Sequence, residues 1–264
     1  MFIKTFSPSK YNTYVECNLK YRYKYIDYLK DEYNKGLSKD ALQFGSYIHK
    51  IFEDGVEAKS VDELRKIARD LRGNYHFKGR VQDIETCIKH FFEFNSKLEG
   101  SVSTEMIFEE KISDDFSLNG IIDRVCKSKN GKYLVIDYKT SKREKTKREL
   151  YNDPQLLIYA LAMSRMYKTP VNNITVSHYY PLTGNLVSIK YLPNQVNSFA
   201  KKIQDKKWEI RKKKVAQFPP KVNRFCDWCG YKEICPKHGA SDREINEALK
   251  ASKFGRSKSR GSKG

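Results

Sequence analysis

The feature that most constrains this chain is a change of hydrophobic period near residue 100. Upstream, apolar residues recur every three or four positions, which predicts helices near 9–29, 40–58, 61–72 and 80–98. Downstream, 104–112, 115–126 and 132–139 read as three consecutive strands, with Lys129-Asn130-Gly131 as the turn before the third. A helix near 151–167, strands near 173–180 and 185–191 and a basic helix over roughly 194–215 follow. Helices on both sides of a strand meander commit the chain to an α/β core. Ser7-Pro8-Ser9 supplies a capping serine and an early proline for the first helix.

The third strand ends in charge, as Val135-Ile136-Asp137-Tyr138-Lys139. Side chains alternate along a strand, so Asp137 and Lys139 share a face, and Asp123 of Gly120-Ile121-Ile122-Asp123 joins them if the strands pair. Two carboxylates beside a lysine suit a divalent cation, an activated water and a phosphodiester. Asp-x-Lys alone is a weak signal. It gains weight from two polar pairs at helical spacing, His49 with Glu53 and Gln155 with Tyr159. Glu109 and Glu110 read as solvated strand polarity.

The formal net charge of +19 argues for a polyanionic partner, most simply nucleic acid. Residues 249–264 hold six cations and no acid among Gly and Ser, and are expected to form a disordered tail. Lys142, Arg143, Lys145, Lys147 and Arg148 follow the charged strand end directly, where a nucleic acid backbone would lie. Tyrosines interleaved with Lys and Arg over 10–28 suit stacking on single-stranded bases, with packing of half of them in a helical lobe as the plainer reading. No run of ~18 apolar residues predicts a membrane span, and the N-terminal residues lack a signal peptide's apolar core. The expected compartment is a reducing cytosol, where six cysteines are metal ligands or core residues rather than disulfides.

Cys226-x2-Cys229-x5-Cys235 is metal-ligand spacing with two completions. Cys17 would close a [4Fe–4S] site, whereas His238 would close a Cys3His zinc site. Cys87 and Cys126 fit no ligand spacing.

Gly-x3-His-x3-Glu at 45–53, Gly-x-x-Asp at 120–123, Asp-x-Lys at 137–139 and Gln-x3-Tyr at 155–159 occur in the order found in the PD-(D/E)XK nuclease superfamily. Over about residues 5–238 the chain resembles its RecB-type iron–sulfur exonucleases, and is similar in layout to CRISPR-associated and phage-encoded members. The resemblance implies a restriction-endonuclease-like core, a central mixed sheet flanked by helices. Its expected parts are an N-terminal helical lobe (1–100) carrying Cys17 and His49, a nuclease core (101–215), a C-terminal iron–sulfur segment (216–240) and the basic tail (241–264). It implies that His49, Asp123, Asp137 and the Tyr138 carbonyl ligate Mg²⁺ or Mn²⁺. Lys139 would orient or help deprotonate water and stabilise the phosphate, Gln155 and Tyr159 would form the wall of the site, and Glu53 would support His49. Cys17, Cys226, Cys229 and Cys235 would hold the cluster as a structural staple; Asn18 stands where relatives commonly have proline.

The expected activity is metal-dependent hydrolysis of DNA, as an exonuclease on single strands or ends. It would serve recombination, repair, phage DNA processing or CRISPR adaptation, beside recombination, helicase or adaptation proteins, in the cytoplasm of a bacterial or archaeal host. The rivals are a structure-selective endonuclease of the same superfamily and a non-catalytic, zinc-stapled DNA-binding protein.

Overall fold

A computed structural model of the 264-residue chain describes residues 4–29, 37–214 and 217–260. The chain divides into two compact units. One comprises residues 3–8 and 39–207; the other joins residues 9–38 to 208–264, together with residues 1–2. This differs from the expected lobe over 1–100. The first two helices, α1 (Pro8–Glu16) and α2 (Asn18–Tyr25), belong almost wholly with the C-terminal segment, whereas α3 (Leu37–Asp54), α4 (Val61–Leu71) and α5 (Val81–Ser96) belong with the sheet. The division follows packing: α3 to α5 bury their apolar faces together with sheet residues.

The sheet unit is built on six strands: β1 (Thr5–Phe6), β2 (Ser101–Ser113), β3 (Phe116–Lys127), β4 (Tyr133–Tyr138), β5 (Ile174–Tyr180) and β6 (Asn185–Ile189). Their order is β1-β3-β4-β5-β6, with β2 also paired to β3. β1–β3 and β4–β5 are parallel and the other pairs antiparallel, so the sheet is mixed. The parallel β4–β5 step needs a crossover, supplied by α6 (Lys147–Tyr151) and α7 (Pro154–Met166). Seven consecutive residues of β5, Ile174–Tyr180, are buried or nearly so, the mark of a strand covered on both faces. One core cluster sets Phe44, Ile48, Ile51 and Phe52 of α3 and Cys87 and Phe91 of α5 against Cys126, Ile136, Tyr138 and Tyr179 of the sheet. Cys87 and Cys126 are therefore core thiols.

In the other unit, Leu19, Tyr23, Leu29 and Tyr231 form a small buried cluster, with Cys17, Cys229, Cys235, Ile245 and Leu249 packed against it. The tyrosine-rich stretch is mostly interior: Tyr11, Tyr14, Tyr21 and Tyr23 are buried. Tyr14 donates to Glu209 Oε1 at 2.6 Å and Tyr23 to the Ile234 carbonyl at 3.1 Å. The packing reading therefore describes these four. The expected disordered tail over 241–264 is corrected by α8 (Asp242–Arg260); residues 261–264 lie outside the described residues. Its start has a physical cause. Ser241 and Glu244 cap each other reciprocally, and Ile245 and Leu249 have an apolar cluster to cover. Among the described residues no helix is long and apolar enough to cross a membrane.

Candidate active site

Four elements of the sheet unit deliver the polar side chains. The buried face of α3 recurs at Phe44, Tyr47, Ile48, Ile51 and Phe52, which leaves His49 at the rim of the core. A Cβ at Gly45 would stand 3.3 Å from Thr140 Oγ1, so glycine lets this turn approach the loop after β4. On β3, a Cβ at Gly120 would come within 2.8 Å of the Phe108 ring. β3 pairs with β4 only from Arg124 onward. Below that point Asp123 uses its side chain instead: Oδ2 accepts from the Tyr138 backbone N–H at 2.7 Å.

His49, Glu105 and Asp123 bring one ligand atom each within 4.8 Å of one another, the one such group among the described residues. His49 Nδ1 lies 3.5 Å from Asp123 Oδ1. His49 Nε2 lies 3.0 Å from the Tyr138 carbonyl. A carbonyl only accepts, so Nε2 carries a proton and Nδ1 is the ring nitrogen turned toward the carboxylates. Glu105 stands out in no sequence spacing, where Glu109 and Glu110 of the same strand are the acids that draw notice. It has a left-handed backbone (φ 45°). The ladder runs Thr104↔Arg124 and Met106↔Ile122, which sets Glu105 level with Asp123. Alternation alone does not distinguish it from its neighbours. Burial raises the Glu105 pKa, with the charges of Asp123 and Glu53 adding to the effect. Glu53 lines the same cavity but pairs with Lys50 at 3.0 Å rather than with His49.

Asp137, Lys139, Gln155 and Tyr159 form an adjoining lattice. Gln155 Nε2 donates to Asp137 Oδ1 at 2.7 Å and to the Tyr159 hydroxyl at 2.8 Å. Gln155 Oε1 accepts from Lys139 Nζ at 3.0 Å. An ammonium only donates and a carboxylate only accepts, so the amide has one orientation. The Tyr159 hydroxyl donates to the Ile121 carbonyl at 2.8 Å, which ties α7 to β3. Lys139 Nζ stands 2.5 Å from Asp137 Oδ2. Burial pushes the Asp137 carboxyl up to about 6, against the opposing pull of Lys139. Burial works most strongly against the Lys139 charge, but Asp137, Asp123 and Asp153 together outweigh it and the net shift is upward. His49 behaves alike: burial opposes its charge, and Asp123 more than compensates.

Two supporting residues escape sequence reading. Asp153 caps α7 by accepting from the Gln155 N–H at 2.9 Å and pairs with Lys145 at 2.6 Å. Asp153-Pro154 is a readable helix start that fixes where Gln155 points. His178 is fully buried, opposite Asp137 in the β4–β5 ladder, with Nε2 3.8 Å from Asp137 and 3.7 Å from Asp153. Between β4 and the end of α6, Lys145 and Arg143 are held by Asp153 and Glu149, whereas Lys142, Lys147 and Arg148 are exposed.

The sequence pattern of the PD-(D/E)XK nuclease superfamily matches residues 5–236. The chain belongs to that superfamily. This PD-(D/E)XK nuclease is 26% identical over 214 residues to a protein of Streptococcus agalactiae serotype Ia named as the B-type component of an ATP-dependent helicase/deoxyribonuclease, a match covering 72% of this chain and 20% of that protein. The Streptococcus mutans serotype c protein of the same name is 25% identical over 143 residues, covering 47% and 13%. The chain thus spans about a fifth of the length of the first of these curated relatives. A solved Eubacterium rectale structure, named as that of a candidate exonuclease, aligns at a TM-score of 0.53 and 16% identity, covering 86% of this chain and 87% of that one, a likeness of fold. The superfamily and the mixed, helix-flanked sheet read from the motifs are borne out.

The cysteines lie in the other unit. All six cysteines of the chain are free thiols, and Cys17, Cys226, Cys229 and Cys235 line one cavity together with His238. Backbone N–H groups of Lys221 and Asn223 point at Cys17 Sγ and Cys226 Sγ, at 3.4 and 3.3 Å.

Proposed function

We propose that this PD-(D/E)XK nuclease is a Mg²⁺- or Mn²⁺-dependent deoxyribonuclease that acts as an exonuclease on single-stranded DNA or DNA ends. The observation that carries the reading is the convergence of His49, Glu105 and Asp123 beside the Asp137–Lys139–Gln155 lattice. Carboxylate oxygens and one imidazole suit a hard divalent cation, and the Asp137 carboxylate is buried beside them with Lys139 against its Oδ2. When bound, the cation supplies Lewis-acid polarisation of the phosphodiester and activation of water. His49, Glu105, Asp123 and Asp137 would hold it, with the Tyr138 carbonyl fixing the His49 ring. Lys139, kept charged by Asp137, orients water and stabilises the phosphate rather than acting as a base. Gln155 and Tyr159 set the geometry of Asp137.

The reading includes a structural [4Fe–4S] cluster on Cys17, Cys226, Cys229 and Cys235. Cys17 of the second helix's start lines the same cavity as the three C-terminal cysteines, the one-plus-three layout of the iron–sulfur nucleases the chain resembles, which supports the cluster over zinc. N–H donors directed at sulfur also suit thiolate ligands. The names of the streptococcal relatives support a helicase partner.

Linear and circular single strands, labelled at either end and incubated with Mn²⁺, test the activity. Release of labelled mononucleotides or short products from linear strands only is expected, and Asp137→Ala should abolish it while DNA binding persists. Digestion of circles would favour a structure-selective endonuclease, and undiminished digestion by Asp137→Ala would refute the site.

A further inference from the structure

An apolar surface borders the carboxylates. Ile107 is 76% exposed and Ile121 48% exposed, and the two stand directly opposite each other in the β2–β3 ladder. Each is two residues from a site carboxylate, Ile107 from Glu105 and Ile121 from Asp123. Residues two apart on a strand share a face about 6.6 Å apart, which sets Ile121 beside Asp123, and Ile107 shares that face as the ladder partner of Ile121. Scattered exposed isoleucines need no explanation; a directly opposed pair beside clustered carboxylates is a surface of a different kind.

The pair is also held firmly. The Ile121 carbonyl accepts from Tyr159, which is bonded to Gln155 and through it to Asp137. On the side of β3 away from β2, β1 pairs only at Ser117 and Leu118 and β4 only from Arg124, so this ladder is open around Ile121. The backbone beneath the isoleucine is fixed to the lattice while its side chain faces solvent.

We propose that Ile107 and Ile121 form an apolar subsite for the base of the nucleotide whose phosphodiester lies at His49, Glu105 and Asp123. The inference rests on the nuclease reading above and names how that site grips its substrate. A phosphate bound at the carboxylates carries its sugar and base outward by about the length of one strand step. Two β-branched side chains can hold the flat face of any base without hydrogen bonds, so the grip is indifferent to sequence. A base inside a duplex has both faces stacked, so the isoleucines can meet only a base of a single strand or of a strand end.

The test compares the wild type with Ile107→Thr/Ile121→Thr and with Ile107→Thr alone, since threonine keeps the β-branching that strands favour. Two single strands of equal length serve as probes, one with all its bases and one built of abasic residues. Affinity is read by fluorescence anisotropy in EDTA, and KM and kcat with Mn²⁺. The wild type should prefer the strand with bases. The double variant should bind that strand about tenfold more weakly, with the loss in KM rather than kcat, and should bind the abasic strand as the wild type does. Equal weakening on both strands, or no weakening, overturns the subsite. If the double variant is unfolded by circular dichroism, the single variant decides: it should lose about threefold on the strand with bases alone, and no base-dependent loss overturns the proposal. A wild type that cuts neither strand with any divalent metal would sink the nuclease reading, and the anisotropy series would still decide the subsite.

Discussion

Asp137 and His178 face each other across adjacent strands, and burial pushes both toward their neutral forms. Asp137 is raised from 3.8 to about 6. The native chain therefore keeps a proton that the unfolded chain releases, and metal-free stability falls as pH rises from 3.8 through about 6. His178 is lowered from 6.5 to about 4, first by burial and then by the Lys139 charge. Here the unfolded chain takes up a proton that the native chain refuses, so stability falls as pH drops from 6.5 through about 4. Between about 4 and 6 the two slopes oppose each other. In EDTA, His178→Gln should leave Asp137 dominant, with a melting temperature that falls as pH climbs across that window. Asp137→Asn should show the opposite slope, and matching profiles for the two variants would contradict the assignment. At this scale Gln155→Leu should cost about 10- to 100-fold in Mn²⁺ affinity or activity, because it removes the group that orients Asp137 and caps Lys139; titration with Mn²⁺ checks it. Sequence order reveals Asp123, Asp137, Lys139, Gln155 and Tyr159 because each lies in a recognisable spacing. Glu105 and His178 lie in no spacing of their own. One depends on a left-handed residue in β2 and the other on a parallel register between β4 and β5, which are properties of pairing.

Among the elements, β3 carries the most demands. It pairs with β1, β2 and β4 in turn, delivers Asp123 where the β4 ladder stops, and must pass Phe108 closely at Gly120. Gly120→Ala should therefore destabilise the protein by about 1–3 kcal/mol, as an overpacked position does; a shift in the urea midpoint at constant slope measures it, and an unshifted midpoint would mean that the Phe108 ring gives way freely. Helix α7 shows how a start signal becomes a site: Asp153 and Pro154 set the first turn, and Gln155 and Tyr159 then project from one face toward the strand ends. Helices and strands are legible where their period is sustained, as in α3 and β4. The two-residue β1 is not, since Thr5 and Phe6 are too few to show a period. The tyrosines near the N-terminus mislead in another way. A tyrosine has an apolar body and a polar tip, so four that bury their rings look in sequence like a stacking platform. Helix α8 escapes a sequence reading because its Gly- and Ser-rich end outweighs a capping box at its start.

For the whole molecule, the two proposed ligand sets fall in separate compact units, His49, Glu105, Asp123 and Asp137 in one and the four cavity cysteines in the other. The cysteine unit is closed by segments far apart in sequence: the Lys221 N–H reaches Cys17 Sγ across 204 residues. A bound cluster closing so long a loop restricts the unfolded chain strongly. Cys17→Ala should therefore lose the cluster's absorbance near ~400 nm and lower the melting temperature, while calorimetric binding of Mn²⁺ to the sheet unit persists. Loss of metal in His238→Ala but not in Cys17→Ala would overturn the cluster in favour of zinc.

The interleaving of the two units also has a consequence for the order of events at the ribosome. Chains fold as they emerge, and domains generally fold as units. Every residue of the sheet unit has been synthesised by Lys207, whereas the cysteine unit must wait for Cys235. The sheet unit is thus complete first, and the earlier segment holding Cys17 must idle until Cys235 arrives to complete its own unit.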